Sequence, residues 1–321
     1  MVRTMSSSIS LFDPGATHYI ELIDQLGLTK WKTRYTFTAN EDFNAICIQD
    51  TNRANQIYWE EMLARTHLAA ATSILRNRQW VSAVISAATN ENLLAFAAAL
   101  RGLIESSADS ATALGRIGRT LADLNAEISR ALDGKADRFF VSSEMEDELI
   151  HYSHGRELKN EFTKDERAAM PKSHQARKVR DYIDVLKNGQ VHDVINCYNS
   201  VCDLTHPGTS SVSMWFHNYS DLEMCLKTGQ DNSLISDFLK DYRKTILELL
   251  MFAFNPAIVT LRVLNYFPLA KFHTPMLDKW NLSDLQMWQV CQAALGELKP
   301  KTGAHLRIVK RPPPLKTKRR D

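Results

Sequence analysis

The sequence predicts an all-α protein, built as a multi-helix bundle. Apolar residues recur at every third or fourth position over long stretches, which is the period of an amphipathic helix. Hydrophobic residues make up 44% and charged residues 24% of the 321 residues, so the chain can bury a sizeable core. One short segment, residues 33–39, is rich in β-branched and aromatic residues, but it is too isolated to indicate a sheet.

The chain divides into three predicted parts. Residues 1–50 form an N-terminal lead-in, flexible over 1–17, that contains the short extended segment. Residues 51–298 form the helical region, and a length of 321 residues allows either one large domain or two smaller ones. Residues 299–321 form a basic tail with three consecutive prolines and no apolar period, which predicts a disordered, partly polyproline arm.

Helices are predicted in order along residues 51–298. The first covers residues 55–88, and the second runs from a cap at Thr89 or Asn90 to Arg130. Residues 206–232 are expected to form a loop anchored by aromatic side chains, namely Trp215, Phe216 and Tyr219. Further helices are predicted at 143–162, 174–187, 191–205, 233–254, 256–267 and 283–298, with a break at Asn188 and Gly189.

The longest apolar run, LLMFAFNPAIVTL, lies between Glu248 and Arg262. Asn255 and Pro256 interrupt it, so the uninterrupted run falls short of the roughly 20 residues that a membrane helix needs. We interpret it as a buried core helix with a step at the proline, and no membrane contact is expected.

Charge and cysteine content indicate the cellular compartment of the protein. The formal charge is +2, but residues 299–321 carry nine Lys and Arg against one Asp, which leaves 30 positive and 36 negative residues elsewhere. The five cysteines are scattered without a framework spacing, and no signal-peptide cleavage pattern opens the chain. A reduced, cytoplasmic protein is therefore predicted.

The segment LLAFAAALRGLIESSADSATAL places two opposite charges on one helix. Its apolar stripe consists of Leu93, Phe96, Leu100, Leu103 and Ile104. Another face carries Ala98, Arg101, Glu105, Ala108 and Thr112. Because the neighbours are small, a second helix can approach the Arg101–Glu105 pair closely. Two interpretations remain: a buried pair that fixes helix register, or a phosphate-facing Arg101 held by Glu105.

The segment YNSVCDLTHPG places Tyr198, Cys202 and His206 at every fourth residue, on one face of a helix. Pro207 disfavours helical geometry at His206, so the imidazole is presented at the helix end. The negative end of the helix dipole favours a protonated ring there. His206 is thus either a cap for the last carbonyl groups or a general acid or base. The spacing of this set matches no standard zinc site.

The segment HYSHGRE contains a weaker candidate for metal binding. His151 and His154 are three residues apart, with Glu148 and Glu157 about one turn to either side. A solvated polar helix face is the alternative, and we predict no metal site. Glycine-rich phosphate loops, nucleophile elbows and the H-E-x-x-H motif are absent from the sequence, so no cofactor is predicted.

The segments LRGLIES and YNSVCDLTHPG together resemble uncharacterised bacterial helical proteins related to the HEPN superfamily, including abortive-infection and toxin-type proteins. The resemblance implies metal-independent RNA cleavage by an Arg at the phosphate and a His that transfers a proton. In that family four to six residues separate the two. The one match here, Arg167 to His174, is interrupted by Pro171. The motif is therefore either lost or replaced by Arg101, Glu105 and His206.

The leading prediction is a cytoplasmic, HEPN-like protein that binds or cleaves RNA, in bacterial antiviral defence or a toxin system. Its candidate catalytic residues are Arg101, Glu105, Tyr198 and His206. Its candidate nucleic-acid-binding residues are Lys310, Arg311, Lys316, Lys318, Arg319 and Arg320. The alternative is a non-catalytic interaction or assembly protein, whose basic arm docks on a protein partner or a second copy. A localisation signal or solubilising tail is a further interpretation of the arm.

Overall fold

The computed structural model describes residues 12–26, 33–154, 162–175, 177–220, 223–296 and 307–308. Within this part the protein is all-α, as predicted. The α-helices are α1 Pro14–Gln25, α2 Asn40–Gln49, α3 Thr51–Thr89, α4 Leu93–Leu114, α5 Ile117–Asp123, α6 Asn125–Leu132, α7 Ser143–His154, α8 Lys164–Ala169, α9 Val179–Asn188, α10 Val194–Thr205, α11 Thr209–Ser213, α12 Asp231–Asp241, α13 Arg243–Leu264 and α14 Gln286–Leu295. The short strands are β1 Phe140–Val141, β2 Phe216–Ser220, β3 Glu223–Leu226 and β4 Arg307–Ile308. Single 3-10 turns occupy Lys172–His174, Ala270–Phe272 and Pro275–Lys279.

The N-terminal region contains more helix than the sequence predicts. The Oδ1 atom of Asp13 accepts a hydrogen bond from the Ala16 amide at 2.9 Å, and Pro14 occupies the first turn of α1. Asp-Pro-Gly is therefore a helix start and not a flexible lead-in, because Pro needs no amide partner there. α2 also lies within residues 1–50, and residues 33–39 form neither helix nor strand.

The first long helix is confirmed by α3, but the second is shorter than predicted. α4 ends at Leu114, and α5 and α6 follow after turns at residues 115–116 and 124. Gly115 has a low helix propensity, which favours the break there. The N-cap of α4 is Asn92 and not the predicted Thr89 or Asn90, since Asn92 Oδ1 accepts a hydrogen bond from the Ala95 amide at 3.0 Å. The Thr89 hydroxyl donates instead to the Ile85 carbonyl.

The apolar run forms one continuous helix, so the predicted step at Pro256 is wrong. α13 passes through Pro256, and the break falls instead at Tyr242, between α12 and α13. Buried neighbours on both sides of the proline, such as Phe254 and Ala257, hold the helix together despite the missing amide. Among the described residues α13 alone is long and apolar enough to span a membrane, and 67% of its most apolar window is buried. That burial is typical of a core helix in a soluble protein.

The remaining predicted helices correspond to α7, α9, α10 and α14, each shorter than expected. The predicted end of the 143–162 helix lies largely outside the described residues. The predicted break after Asn188 is confirmed, since Gly189 follows α9 and donates its amide to the Val185 carbonyl at 2.9 Å.

Residues 206–232 are not the aromatic-anchored loop that the sequence suggests. After the short α11, β2 and β3 form an antiparallel hairpin in which Phe216 pairs with Leu226 and His217 with Cys225. Trp215 keeps 37% of its surface exposed, so it does not anchor the segment in the core. The side chain of Tyr219 lies outside the described part. Two β-prone segments separated by Asp221 and Leu222 are the hairpin signal in the sequence.

The structure divides into two compact units, both drawn from the predicted helical region and the lead-in. Unit 1 comprises Met1–Leu28, Ser73–Thr112 and Lys178–Phe254. Unit 2 comprises Thr29–Thr72, Ala113–Arg177 and Asn255–Asp321. The core of unit 1 includes the fully buried side chains of Ile20, Phe96, Leu100, Leu186, Val201 and Leu249. The core of unit 2 includes Trp59, Leu63, Leu121, Phe267, Phe272 and Leu277.

Part of the predicted arm belongs to unit 2. Ile308 pairs with Phe140 and Arg307 with Val141, in an antiparallel sheet formed by β1 and β4. Within the predicted arm, the backbone groups of these two residues pair with an edge strand. The six basic residues proposed to bind nucleic acid, from Lys310 to Arg320, lie outside the described residues.

Candidate functional site

The structure brings together all four predicted catalytic residues, and all of them belong to unit 1. Arg101 Nε donates to Glu105 Oε1 at 3.0 Å, and the Tyr198 hydroxyl donates to the same oxygen at 2.9 Å. The other side of the guanidinium, at Nη1, lies 3.1 Å from His206 Nε2. We call these residues the Glu105 cluster: Arg101, Glu105, Tyr198 and His206.

The packing of α4 explains why its two charges face outward. The predicted apolar stripe is buried, with at most 2% exposure at Leu93, Phe96, Leu100, Leu103 and Ile104. The side chains of Arg101 and Glu105 retain 29% and 31% of their surface. This pair is therefore half-buried, so the buried register pair considered from the sequence is not what forms. As a same-helix pair in the less favourable order it stabilises α4 by about 0.3 kcal/mol.

The end of α10 presents His206 as the sequence predicts. The helix stops at Thr205, and His206 is extended, with φ −88° and ψ 144°. Pro207 accounts for this conformation, because a helical residue before proline would clash with the proline ring. The backbone amide of His206 donates to the Cys202 carbonyl at 2.8 Å, which leaves the exposed ring to contact Arg101.

The contact with Arg101 indicates the protonation state of His206. A guanidinium has donors only, so His206 Nε2 must accept, and an imidazole nitrogen accepts only when it carries no proton. A hydrogen bond between the two groups therefore requires the tautomer that carries its proton on Nδ1.

Two other groups of the cluster have fixed protonation. Burial and then the hydrogen bond to Glu105 raise the pKa of the Tyr198 hydroxyl well above its usual range, so it remains a donor. Burial alone lowers the pKa of Arg101, but the bonds to Glu105 and Tyr198 outweigh it and raise the pKa above its ordinary value. The guanidinium is also 5.8 Å from the centre of the Tyr198 ring, a cation–π contact.

A second set of residues, which the sequence does not reveal, lies one turn further along α4. Asp109 Oδ2 accepts from Arg76 Nη2 at 2.6 Å, and its Oδ1 accepts from the Tyr182 hydroxyl at 3.3 Å. We call Arg76, Asp109 and Tyr182 the Asp109 cluster. The available signal is the spacing of Arg101, Glu105 and Asp109 by four residues, but Arg76 and Tyr182 come from α3 and α9, which no local spacing connects.

An aromatic side chain from α3 also packs beside the site. A Cβ atom on Gly102 would lie only 2.7 Å from ring atoms of Trp80, so the ring rests directly on the glycine that follows Arg101. Trp80 nevertheless keeps 37% of its surface exposed.

The candidate metal ligands near His151 are engaged in other contacts. His151 is only 6% exposed, and its Nδ1 donates to the Ser173 carbonyl at 3.2 Å. Glu148 forms an ion pair with Arg177 at 3.0 Å. The side chain of His154 and all of Glu157 lie outside the described residues. The solvated helix face suggested as the alternative is therefore wrong at His151, because the 3-10 turn at Lys172–His174 covers it.

Within the described ranges no three His, Cys, Asp or Glu side chains form a group that could hold a metal ion. All five cysteines are free thiols, and burial raises the pKa of Cys197 to about 12 and that of Cys291 to about 11. In the Arg167 to His174 segment, Arg167 lies on α8, and the side chain of His174 is outside the described part.

No protein-family model matches this chain, and no curated protein or solved structure shows significant similarity to it.

Proposed function

We propose that this chain is a cytoplasmic, HEPN-like protein that binds RNA and cleaves it without a metal ion. The observation that carries the proposal is the 3.1 Å contact between Arg101 Nη1 and Nε2 of His206 on an exposed surface of unit 1. A fixed cation beside an imidazole combines phosphate binding and proton acceptance, the two tasks of phosphodiester cleavage.

In the proposed reaction a phosphate of the RNA takes the place of His206 as the partner of Arg101. His206 Nε2 then accepts the proton of the 2′-hydroxyl, and the 2′-oxygen forms a bond to phosphorus. The bond from phosphorus to the 5′-oxygen breaks, and this oxygen takes a proton from water. The hydroxide that remains takes the proton held by His206, which restores the water and the neutral ring. Arg101 neutralises the charge that develops on the phosphoryl oxygens. The products are a 2′,3′-cyclic phosphate and a 5′-hydroxyl.

Glu105 and Tyr198 act as positioning residues in this scheme. Glu105 holds Arg101 through Nε, which leaves the two terminal nitrogens of the guanidinium for a phosphate. The Tyr198 hydroxyl donates to Glu105 and thereby joins α10, which carries His206 at its end, to α4. Trp80 would add stacking to a neighbouring base.

The cellular setting belongs to the same proposal. Five free thiols fit a reducing cytoplasm. A role in antiviral defence or as a toxin follows from the HEPN resemblance, and it predicts growth arrest when the wild-type chain, but not a cleavage-deficient variant, is expressed in bacteria.

The test is incubation of the purified full chain with single-stranded and structured RNA, with and without a chelator. We expect chelator-resistant cleavage with cyclic-phosphate ends. His206→Asn still accepts a hydrogen bond from Arg101 but cannot take a proton near neutral pH, so cleavage should fall about 100-fold or more. RNA binding should be retained. A His206→Asn variant with full activity would contradict the acid-base role.

The basic arm is tested separately from catalysis. A chain ending at Val309 keeps the β1–β4 pairing and removes the six basic residues beyond it. If those residues contact phosphates, the log-log dependence of single-strand affinity on salt should lose about 4 units of slope. Equal affinity and equal salt dependence in both chains would show that the arm does not contribute to nucleic-acid binding.

The second candidate function is a non-catalytic interaction or assembly protein. The observation that favours it is the exposed hairpin, in which Met224 and Leu226 retain 63% and 81% of their surface. Under this proposal the chain binds a partner without cleaving RNA, and substitutions in the Glu105 cluster leave the assembly intact.

A further inference from the structure

The β2–β3 hairpin in unit 1 has the features of an incomplete sheet. All four residues of β3 are exposed, and within the described residues the sheet has just these two strands. An isolated two-stranded hairpin is marginally stable in water, and its unpaired edges are templates for another strand.

The register identifies which backbone groups of β3 face outward. The Lys227 amide donates to the Trp215 carbonyl at 2.8 Å, which makes these residues a hydrogen-bonded pair. In an antiparallel ladder such pairs alternate, so Cys225 and His217 are also hydrogen-bonded. The amide and carbonyl groups of Met224 and Leu226 therefore point to the outer edge of β3.

The sequence of this edge is complementary to itself. In an antiparallel pairing of two copies about Cys225, Met224 lies opposite Leu226 of the other copy, and Glu223 lies opposite Lys227. Each apolar residue meets an apolar residue, and each charge meets the opposite charge. The outward groups of Met224 and Leu226 then form the hydrogen bonds. This register also places the exposed side chains of Glu223, Cys225 and Lys227 in the closer, non-hydrogen-bonded pairs.

We propose that a second copy of this chain pairs with the β3 edge, and that the two hairpins form one four-stranded antiparallel sheet about a twofold axis. Such an interface is isologous, so one surface serves both copies. The strands are short and the interface is small, so the dimer should depend on protein concentration. This inference does not rest on RNA cleavage, and the two are tested by different measurements.

Sedimentation velocity of the full chain over a range of concentrations tests the dimer. Glu223→Lys and Lys227→Glu should each weaken it about tenfold or more, because like charges replace opposite charges at both symmetric positions. The double variant E223K/K227E restores both pairs and should restore the dimer. Glu41→Lys makes the same charge change as Glu223→Lys at a different exposed site, and it is the control for that variant.

A chain that stays monomeric at every concentration would overturn the proposal. A monomer is the result expected if another segment of the same chain covers this edge. The proposal would also be overturned if neither single substitution weakened the dimer, or if the double variant failed to restore it. Unchanged circular dichroism and melting of each variant show that the fold is intact.

Cross-linking tests the register directly. At the twofold axis the two Cys225 thiols face each other across a non-hydrogen-bonded pair, within the range of a disulfide. Diamide accepts two electrons and two protons from the thiols, so the wild-type chain should yield a covalent dimer of the 36.5 kDa protein. Cys225→Ser should abolish it and Cys47→Ser should not. Undiminished cross-linking in Cys225→Ser, or none in the wild type, would contradict the register.

Discussion

The two clusters are each centred on a carboxylate of α4, with an arginine and a tyrosine bound to it, but they are built from different helices. In the Glu105 cluster and in the Asp109 cluster, one carboxylate accepts hydrogen bonds from a tyrosine hydroxyl and a guanidinium. In the Glu105 cluster the arginine comes from the same helix, one turn away. In the Asp109 cluster it comes from α3, and the tyrosine comes from α9. The Asp109 cluster therefore ties three helices together.

The difference in solvent exposure between the two carboxylates indicates that the Asp109 cluster contributes more to the stability of the fold. Asp109 keeps 13% of its side-chain surface and Glu105 keeps 31%, so the loss of a partner leaves Asp109 more poorly solvated. The Arg101–Glu105 pair contributes little to α4, yet its guanidinium contacts an exposed histidine. A charge arrangement with little structural value beside a titratable ring is typical of a functional site.

The largest expected difference between the clusters is in RNA cleavage. In the proposed reaction, Arg101→Ala removes the cation that neutralises the phosphoryl oxygens, and it should lower kcat by about 100-fold to 1,000-fold. Arg76→Ala removes an equal charge from the Asp109 cluster and should leave the rate per folded molecule within about twofold, since it removes no transition-state contact. Equal losses in both variants would mean that the clusters do not differ in function.

For the free energy of unfolding we expect the opposite order, with the larger loss in Arg76→Ala. Arg76→Ala leaves Asp109 without its cation and should lower the free energy of unfolding by about 1 to 3 kcal/mol. Arg101→Ala should cost about 0.5 kcal/mol, because Glu105 is better solvated and the lost pair is local. Urea denaturation with an unchanged slope measures both. A larger loss for Arg101→Ala would make the Glu105 cluster structural.

The last prediction concerns the pH dependence of stability at Tyr198, where the expected change is a part of about 1 kcal/mol. Its pKa is raised in the folded protein, so the folded state holds the hydroxyl proton more tightly than the unfolded state. The contribution to stability is therefore complete below the unfolded pKa of about 10 and declines as the pH rises above it. Tyr198→Phe should cost about 1 kcal/mol at pH 7 to 9, and this deficit should shrink above pH 10. If the deficit stayed constant above pH 10, the hydrogen bond from the Tyr198 hydroxyl to Glu105 would not contribute to stability.

Spacing within one helix explains why the Glu105 cluster could be predicted and the Asp109 cluster could not. Arg101 and Glu105 share a turn of α4, and Tyr198 and His206 share a face of α10, so each half is visible in the sequence. The pairing of the two halves is a tertiary contact. Arg76 and Tyr182 reach Asp109 from separate helices, and no sequence period links them.

Helix existence was predictable, but several helix ends were not. The apolar period correctly indicates α3 and the buried face of α4. It does not distinguish a tolerated proline from a breaking one, because burial around Pro256 decides the outcome. Conversely, nothing in the pattern marks Tyr242 as the break between α12 and α13. The hairpin was missed because short strands carry too few residues for a clear alternation.

Both units draw on separated stretches of chain, and this has a consequence for synthesis on the ribosome. Unit 1 needs Lys178–Phe254 to complete the core begun by α1, and unit 2 gains β4 only at residues 307–308. Because the chain emerges from its amino terminus, neither unit can close until most of the protein has been translated. We therefore expect that ribosome-bound fragments ending before α13 expose apolar helix faces to chaperones, and that premature stop codons in this gene leave no folded fragment behind.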